Sequence, residues 1–467
     1  MDVKLKFLGA AQSVTGSKYL LELDNRKILF DCGLFQGKKE LRLRNWNSLP
    51  VNAKEIDAVI ITHAHIDHTG YLPRLVREGY TGPIYCTHAT ADLMRIMLLD
   101  AAKLQEEEAQ WAFRQGYSKH SKPEPLFTTE DAEGVHQFVK DYWLDADVNI
   151  FPELTIRFRN AGHILGASMV EAWVKGSTQT KKIVFSGDIG RYDDPVMHAP
   201  ASISEADILV VESTYGDRLN NTDNVEATLT EVIHEAWNTN GAVIIPAFAV
   251  GRTQSLTYYF HQLMEKRAIP EMPIYIDSPM AISVTSLYEK HASLHKLEVT
   301  PAHGKLISLF DDPRIHLCNT PESSKALNHT RKPMILISAS GMCTGGRILH
   351  HLYHRLPREN DILLFAGYQA EGTRGRDILE GAASIKIFGE MVPVKCKVRE
   401  VTGLSAHADQ SELMQWLNHF QDAPKMTFIT HGELKSAQTF QNLLAEKRGW
   451  RSFIPVYLEA FELFTGI

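Results

Sequence analysis

The run Ile56-Asp-Ala-Val-Ile-Ile-Thr62 leads straight into His63-Ala-His65-Ile-Asp67-His68. A nearly continuous apolar run of this length suits a strand covered on both faces, as in layered α/β folds. Three imidazoles and a carboxylate then leave its end within six residues. In extended chain His63 and His65 project to the same side, and a helix is expected to start in TGYLPRLVREG (69–79). Neutral imidazole with carboxylate is the donor set of zinc and similar divalent metals. One such segment serves two ions only if distant residues complete both shells.

Three distant residues qualify. His163 in AGHILGAS, Asp188 in SGDIG and His431 in THGE each follow a strand-like stretch. They are expected at strand C-termini, where α/β sites gather. Any of them alone reads as an ordinary capped or surface residue; beside the 63–68 cluster each becomes a candidate ligand.

The first third of the chain otherwise reads as short strands, KLKFLGA (4–10), KYLLEL (18–23) and KILFD (27–31), with a helix expected from Ala89 to about Gln115 and a loop at 119–125. From about residue 207 strands alternate with helices: ADILVVE, VEATLTEVIHEAW, GAVIIPA, RTQSLTYYFHQLMEK, and onward to DILLFAG. That rhythm predicts a parallel-sheet α/β unit. Near 385 strands return in KIFGEMVPVKCKVREV. No linker-like tract separates these regions, so the middle one reads as an insertion, with expected parts 1–207, 208–384 and 385–467.

Composition sets further bounds. With 467 residues, two or three domains are expected. The formal charge of −7 disfavours nucleic-acid binding by bulk positive charge, so an anionic substrate would need a local positive site such as a groove or a metal. Five scattered cysteines without a CxxC pair fit a reducing compartment and exclude a thiolate zinc knuckle. With no long apolar signal core and no membrane-length apolar run, a cytoplasmic protein without membrane attachment is expected.

Two glycine-containing turns precede helices, one with Gly251 and Arg252, the other with Ser338, Ser340, Gly341, Gly345 and Gly346. Backbone N–H groups at a helix start can hold phosphate, although a plain βα turn is the ordinary reading. Neither fits GxxxxGK[ST], which speaks against nucleotide hydrolysis. His350 and His354 read as a solvated helix face. Lys38, Lys39, Arg42 and Arg44 read as solvated surface or as part of a nucleic-acid path.

HAHIDH with Asp31 in FDCG, His163 and Asp188 resembles the metallo-β-lactamase superfamily. VESTYG at Glu212, PAFAVGRTQ, SASGMCTGG, SAHAD at His407 and HGE at His431 resemble its β-CASP branch of RNA-processing nucleases, which includes prokaryotic homologues of the nuclease subunit of the cleavage and polyadenylation specificity factor. The resemblance implies an αββα sandwich with an inserted β-CASP parallel-sheet domain. It implies two Zn²⁺, one on His63, His65 and His163, the other on Asp67, His68 and His431, bridged by Asp188. Two zinc ions outweigh the two aspartates in charge, leaving a positive centre for a phosphodiester in an acidic protein. The implied activity is RNA hydrolysis by a two-metal hydroxide mechanism, cutting internally with 5′-exonucleolytic trimming as a second mode. Asp31 would orient a ligand, and Asp67 would join it and the acid pair in catalysis. His407 would donate a proton to the leaving oxygen, with Glu212 as its partner. Arg252, Ser340 and Gly341 would contact substrate. RNA is the implied partner, and relatives of this kind often form homodimers.

A hydrolase of small esters, thioesters or lactams is the alternative, but such proteins lack the insertion. A non-catalytic RNA-processing subunit is a third reading, opposed by the complete ligand set.

Overall fold

The computed structural model describes residues 1–115, 123–220, 225–297, 300–302, 305–307, 309–367, 369 and 372–467. Residues 119–122 of the expected loop lie outside them. The chain forms two compact units, Met1–Leu219 with His407–Ile467, and Asn220–Ala406.

The first unit stacks two seven-stranded sheets. One runs, in spatial order, Ala460–Phe464, Val3–Phe7, Tyr19–Leu23, Arg26–Phe30, Ala58–Ile60, Ile84–Thr87, Val139–Tyr142. The other runs Ser452–Phe453, Met426–Thr430, Ile208–Glu212, Thr180–Phe185, Ser168–Lys175, Leu154–Asn160, Asp147–Phe151. Alternate residues of both meet in one core: Leu5, Leu21, Ile28 and Ile60 from the first, Ile156, Ala172, Ile183 and Val210 from the second. The intervening residues of the central strands, such as Val59, Leu209 and Val211, are buried as well. Helices His88–Gln115 and Leu434–Arg448 pack on the outer sides. That is why IDAVIIT and ADILVVE carry no polar alternation. The stretch 69–79 makes a short helix, Leu72–Arg77, with Pro73 in its first turn, after a single turn at Ile66–Thr69.

The second unit is a six-stranded parallel sheet ordered Ile315–Leu317, Ile274–Ile276, Met334–Ser338, Ala242–Pro246, Ile362–Phe365, Lys397–Glu400. Val243, Ile245, Ile335 and Ile337 face one core, and Ala242, Ile244, Met334 and Leu336 face the other. Helices therefore cover both faces, the arrangement expected from the strand–helix alternation.

Both expected boundaries shift. Ile208–Glu212 belongs to the first unit, because it pairs in parallel with Ile183–Phe185 and with Met426–Thr430. The break after 384 moves to Ala406/His407. Ser384–Ile387 and Glu390–Pro393 form a hairpin, and Lys397–Glu400 extends the second unit's sheet beside Ile362–Phe365. Among the described residues no helix is long and apolar enough to cross a membrane.

Candidate metal centre

The candidate site lies in the first unit, where two aromatic rings underpin it. Phe30 and Phe185, one from each sheet, stack with centroids 3.8 Å apart. Such a pair contributes about 0.5–1.5 kcal/mol beyond its area burial. Asp31 follows the first ring directly, and the Ser186-Gly187-Asp188 turn follows the second.

The 63–68 loop is held by backbone. Cys32 N–H donates to His68 O at 2.7 Å, Leu34 N–H to Ile66 O at 2.9 Å and Ser17 N–H to Asp67 O at 2.8 Å. This approach needs glycine at 33, since a Cβ there would sit 1.6 Å from Asp67 O. Gly33→Ala is expected to cost about 1–3 kcal/mol of stability and to reduce metal content with it, read by thermal unfolding and elemental analysis. Gly190 plays a similar part for the His163 loop, where its Cβ would meet Gly162 O at 1.9 Å.

Two donor sets result. His63 Nε2 and His65 Nδ1 are 3.1 Å apart, and His65 Nδ1 and His163 Nε2 are 3.2 Å apart. Asp188 Oδ2 lies 3.4 Å from His63 Nε2 and 3.6 Å from His163 Nε2. A tetrahedral ion with bonds of about 2.0–2.1 Å has ligand atoms about 3.3 Å apart, so these four atoms suit one ion. In the second set His68 Nε2 is 3.2 Å from His431 Nε2, which is 3.4 Å from Asp67 Oδ2. Asp188 Oδ1 turns to this set, 3.4 Å from His68 Nε2. That oxygen is buried and accepts no hydrogen bond. A buried carboxylate oxygen left so is costly without a cation. The residues therefore fit a pair of metal ions with Asp188 between them.

The far ring nitrogens are held from behind, as metal-ligating imidazoles require. His68 Nδ1 meets Asp31 Oδ2 at 2.8 Å. Thr62 Oγ1 donates to the same carboxylate at 2.9 Å and faces His63 Nδ1 at 3.1 Å. Thr214 Oγ1 sits 3.1 Å from His431 Nδ1. The sequence reading missed both threonines. Their only sequence signal is adjacency, Thr62 to the first imidazole and Thr214 to the VES motif.

Burial, reinforced by the neighbouring imidazole of His68, holds His63 well below the usual histidine range, and burial brings His65 down to about 4. Both offer lone pairs at neutral pH. Burial also opposes charge on His68, but Asp188, Asp31 and Asp67 outweigh it and raise its pKa well above the ordinary value. A metal bound at the second set would compete with that proton. Burial would raise the Asp67 and Asp188 pKa values, yet the surrounding imidazoles pull Asp67 to about 2 and Asp188 well below the carboxylate range.

His407 and Glu212 complete the neighbourhood. The His407 ring centroid is 4.4 Å from that of His163, and its Nδ1 is 3.3 Å from Glu212 Oε2. Ala408 N–H donates to Ile189 O at 2.8 Å, tying the 405–409 turn to the residue after Asp188. Asp409 then caps helix Gln410–Leu417 in a capping box with Glu412. Arg252, Ser340 and Gly341 belong to the second unit. Arg252 opens helix Arg252–Glu265. Ser340 Oγ accepts from Thr344 N–H at 3.0 Å and Gly345 N–H at 3.3 Å, closing its own loop. Gly341 lets Phe248 approach, since a Cβ there would lie 3.1 Å from Phe248 N.

Three family descriptions match successive stretches of the chain, the third of them crossing the Ala406/His407 boundary. Residues 14–211 match the metallo-β-lactamase superfamily, 253–378 the β-CASP domain and 391–455 the Zn-dependent metallo-hydrolase RNA specificity domain. The chain is 38% identical to ribonuclease TTHA0252 of Thermus thermophilus, over 94% of this chain and 95% of that protein. It is a β-CASP member of the metallo-β-lactamase superfamily. This β-CASP protein is also 30% identical to an RNase J-like protein of Methanocaldococcus jannaschii, over 97% and 98% of the two chains. It is 27% identical to transcription termination factor FttA of the same organism, over 99% of this chain and 72% of that one. A crystal structure of a protein of unknown function from Enterococcus faecalis V583 shares the fold, with a TM-score of 0.55 over 99% of this chain and all of that one at 13% identity. The family matches and the cluster of histidines and aspartates together support a metal cofactor in this β-CASP protein.

Proposed function

We propose that the chain is a zinc-dependent ribonuclease that hydrolyses RNA phosphodiester bonds at a pair of metal ions. The observation that carries this reading is the Asp188 carboxylate, with Oδ2 toward His63 and His163 and Oδ1, accepting no hydrogen bond, toward His68. The names of the relatives supply the substrate class: ribonuclease TTHA0252 and the RNase J-like protein.

His63, His65 and His163 would hold one zinc, and Asp67, His68 and His431 the other, with Asp188 shared. When bound, the ions supply Lewis acidity, lowering the pKa of a water and offsetting phosphodiester charge. The chain's own residues do the rest. Asp31 and Thr62 keep the His68 and His63 rings aimed. Glu212 holds His407, whose pKa burial would lower but whose neighbouring carboxylate outweighs burial and brings it up to about 9. The carboxylate thus favours the protonated imidazole, which would give a proton to the leaving oxygen. Arg252, Ser340 and Gly341 of the second unit would contact the RNA backbone. Cutting is internal, with 5′ trimming as the second mode. The protein works in the cytoplasm, consistent with five buried free cysteines.

Dialysis against a chelator is expected to abolish cleavage of an isolated RNA, and added Zn²⁺ to restore it. Undiminished cleavage by metal-free protein, checked by elemental analysis, would remove the basis of the proposal. A long RNA with either a 5′-monophosphate or a 5′-triphosphate separates the modes: internal products from both indicate endonuclease action, whereas shortening only of the monophosphate form indicates trimming.

A further inference from the structure

We propose that segment Lys38–Trp46 is a track for single-stranded RNA beside the metal centre, a proposal that rests on the ribonuclease reading. The chain is acidic overall, at −7, yet this stretch carries Lys38, Lys39, Arg42 and Arg44 against Glu40 alone. Lys38, Lys39 and Arg42 are exposed, and none of the three forms an ion pair with a described residue. Arg44 lies over the ring of Tyr457, 4.2 Å from its centroid. Among these cations Trp46 leaves 51% of its surface open to solvent. Exposed cations alongside an exposed indole are what a single strand needs: charge for its phosphates and a flat face for its bases.

The segment is fixed to both flanks of the ligand loop. Buried Asn45 clamps Phe35, accepting from its N–H at 2.9 Å and donating to its carbonyl at 2.7 Å. Phe35 follows the Cys32–Leu34 stretch that donates to His68 O and Ile66 O. On the other side Arg74 Nη2 donates to Trp46 O at 2.7 Å, and Tyr71 OH donates to Asn47 O at 2.9 Å. Lys38 stands five positions after Gly33, which abuts Asp67, so the Cα atoms of Gly33 and Lys38 lie within about 18 Å. At that reach an RNA held at the cluster would need only a few nucleotides to meet this surface. The same charge would also suit an acidic protein, but the open indole and the continuity with the ligand loop favour RNA.

The test compares the metal-loaded parent protein with Lys38→Glu/Lys39→Glu/Arg42→Glu and with Trp46→Ala, on RNAs of about six and about thirty nucleotides. For the triple variant, KM on the longer RNA is expected to rise about tenfold or more, and the slope of log affinity against log salt to flatten by about 2, for three single-strand phosphate contacts. Trp46→Ala is expected to raise that KM about fivefold or more. If charge reversal impairs folding, the triple alanine variant carries the same expectation for the salt slope. Unchanged KM and slope in the variants would overturn the track. So would variants whose self-association changes while their RNA KM does not, since the face would then be a protein interface. Anisotropy binding of the longer RNA separates this from failure of the ribonuclease reading: a parent chain that binds RNA but cleaves none overturns that reading, whereas variants that bind as the parent does overturn the track.

Discussion

Asp188→Asn is expected to lower RNA cleavage by at least about a thousandfold, equivalent to about 4 kcal/mol of transition-state stabilisation, and to lower metal content at both donor sets. The carboxylate stands between the sets with one oxygen toward each. An amide keeps the shape but offers one acceptor; its NH₂ would point a positive dipole at the other ion. The side chain is buried, so water cannot stand in for the missing oxygen. Asp67→Ala and His68→Ala touch the second set alone. Each is expected to abolish cleavage and lose the metal at that set while the first set keeps its ion. Elemental analysis beside single-turnover cleavage and circular dichroism reads all three. An Asp188→Asn protein that holds two metals and cleaves within tenfold of the parent would show that the carboxylate does not bridge.

The legible part of this site was the part with local spacing. His63, His65, Asp67 and His68 stand within six residues at the end of an apolar run, so type and position were readable together. His163, Asp188 and His431 were readable because each stands where a strand-like stretch gives way to a turn. Thr62 and Thr214 were not, because their part depends on which ring nitrogen they face: Thr62 on how the ring of its neighbour His63 turns, Thr214 on a meeting with His431 across more than two hundred residues. The fold class was legible from the change of rhythm near 207, but the unit edges were not. Ile208–Glu212 reads as the first strand of the alternating region, yet its partners are Ile183–Phe185 and Met426–Thr430. Lys397–Glu400 reads as a return of the early strands, yet it lies parallel to Ile362–Phe365. Periodicity tells that a segment is a strand; it does not tell which sheet receives it.

His407→Ala is expected to slow cleavage by about a hundredfold to ten-thousandfold, the range for removing a general acid, while the protein keeps its metals. The imidazole sits beside the first donor set but is not among its convergent atoms; its Nδ1 is turned to Glu212. A ligand role and an acid role therefore predict different things. If metal content falls in step with activity, His407 is a ligand and the proton must come from elsewhere. If the metals stay and only kcat falls, the acid role stands. Glu212→Gln sharpens the distinction. Burial alone pushes the His407 pKa down, and carboxylates, Glu212 first and then Asp188 and Asp67, carry it up to about 9. An acid must be protonated to act, so its contribution disappears as pH rises through its pKa. Without the carboxylate's charge, that alkaline limb of kcat should move to lower pH. The parent chain and the Glu212→Gln variant should then differ most at neutral to alkaline pH and converge in acid. A limb that stays in place would mean that the group titrating there is not His407.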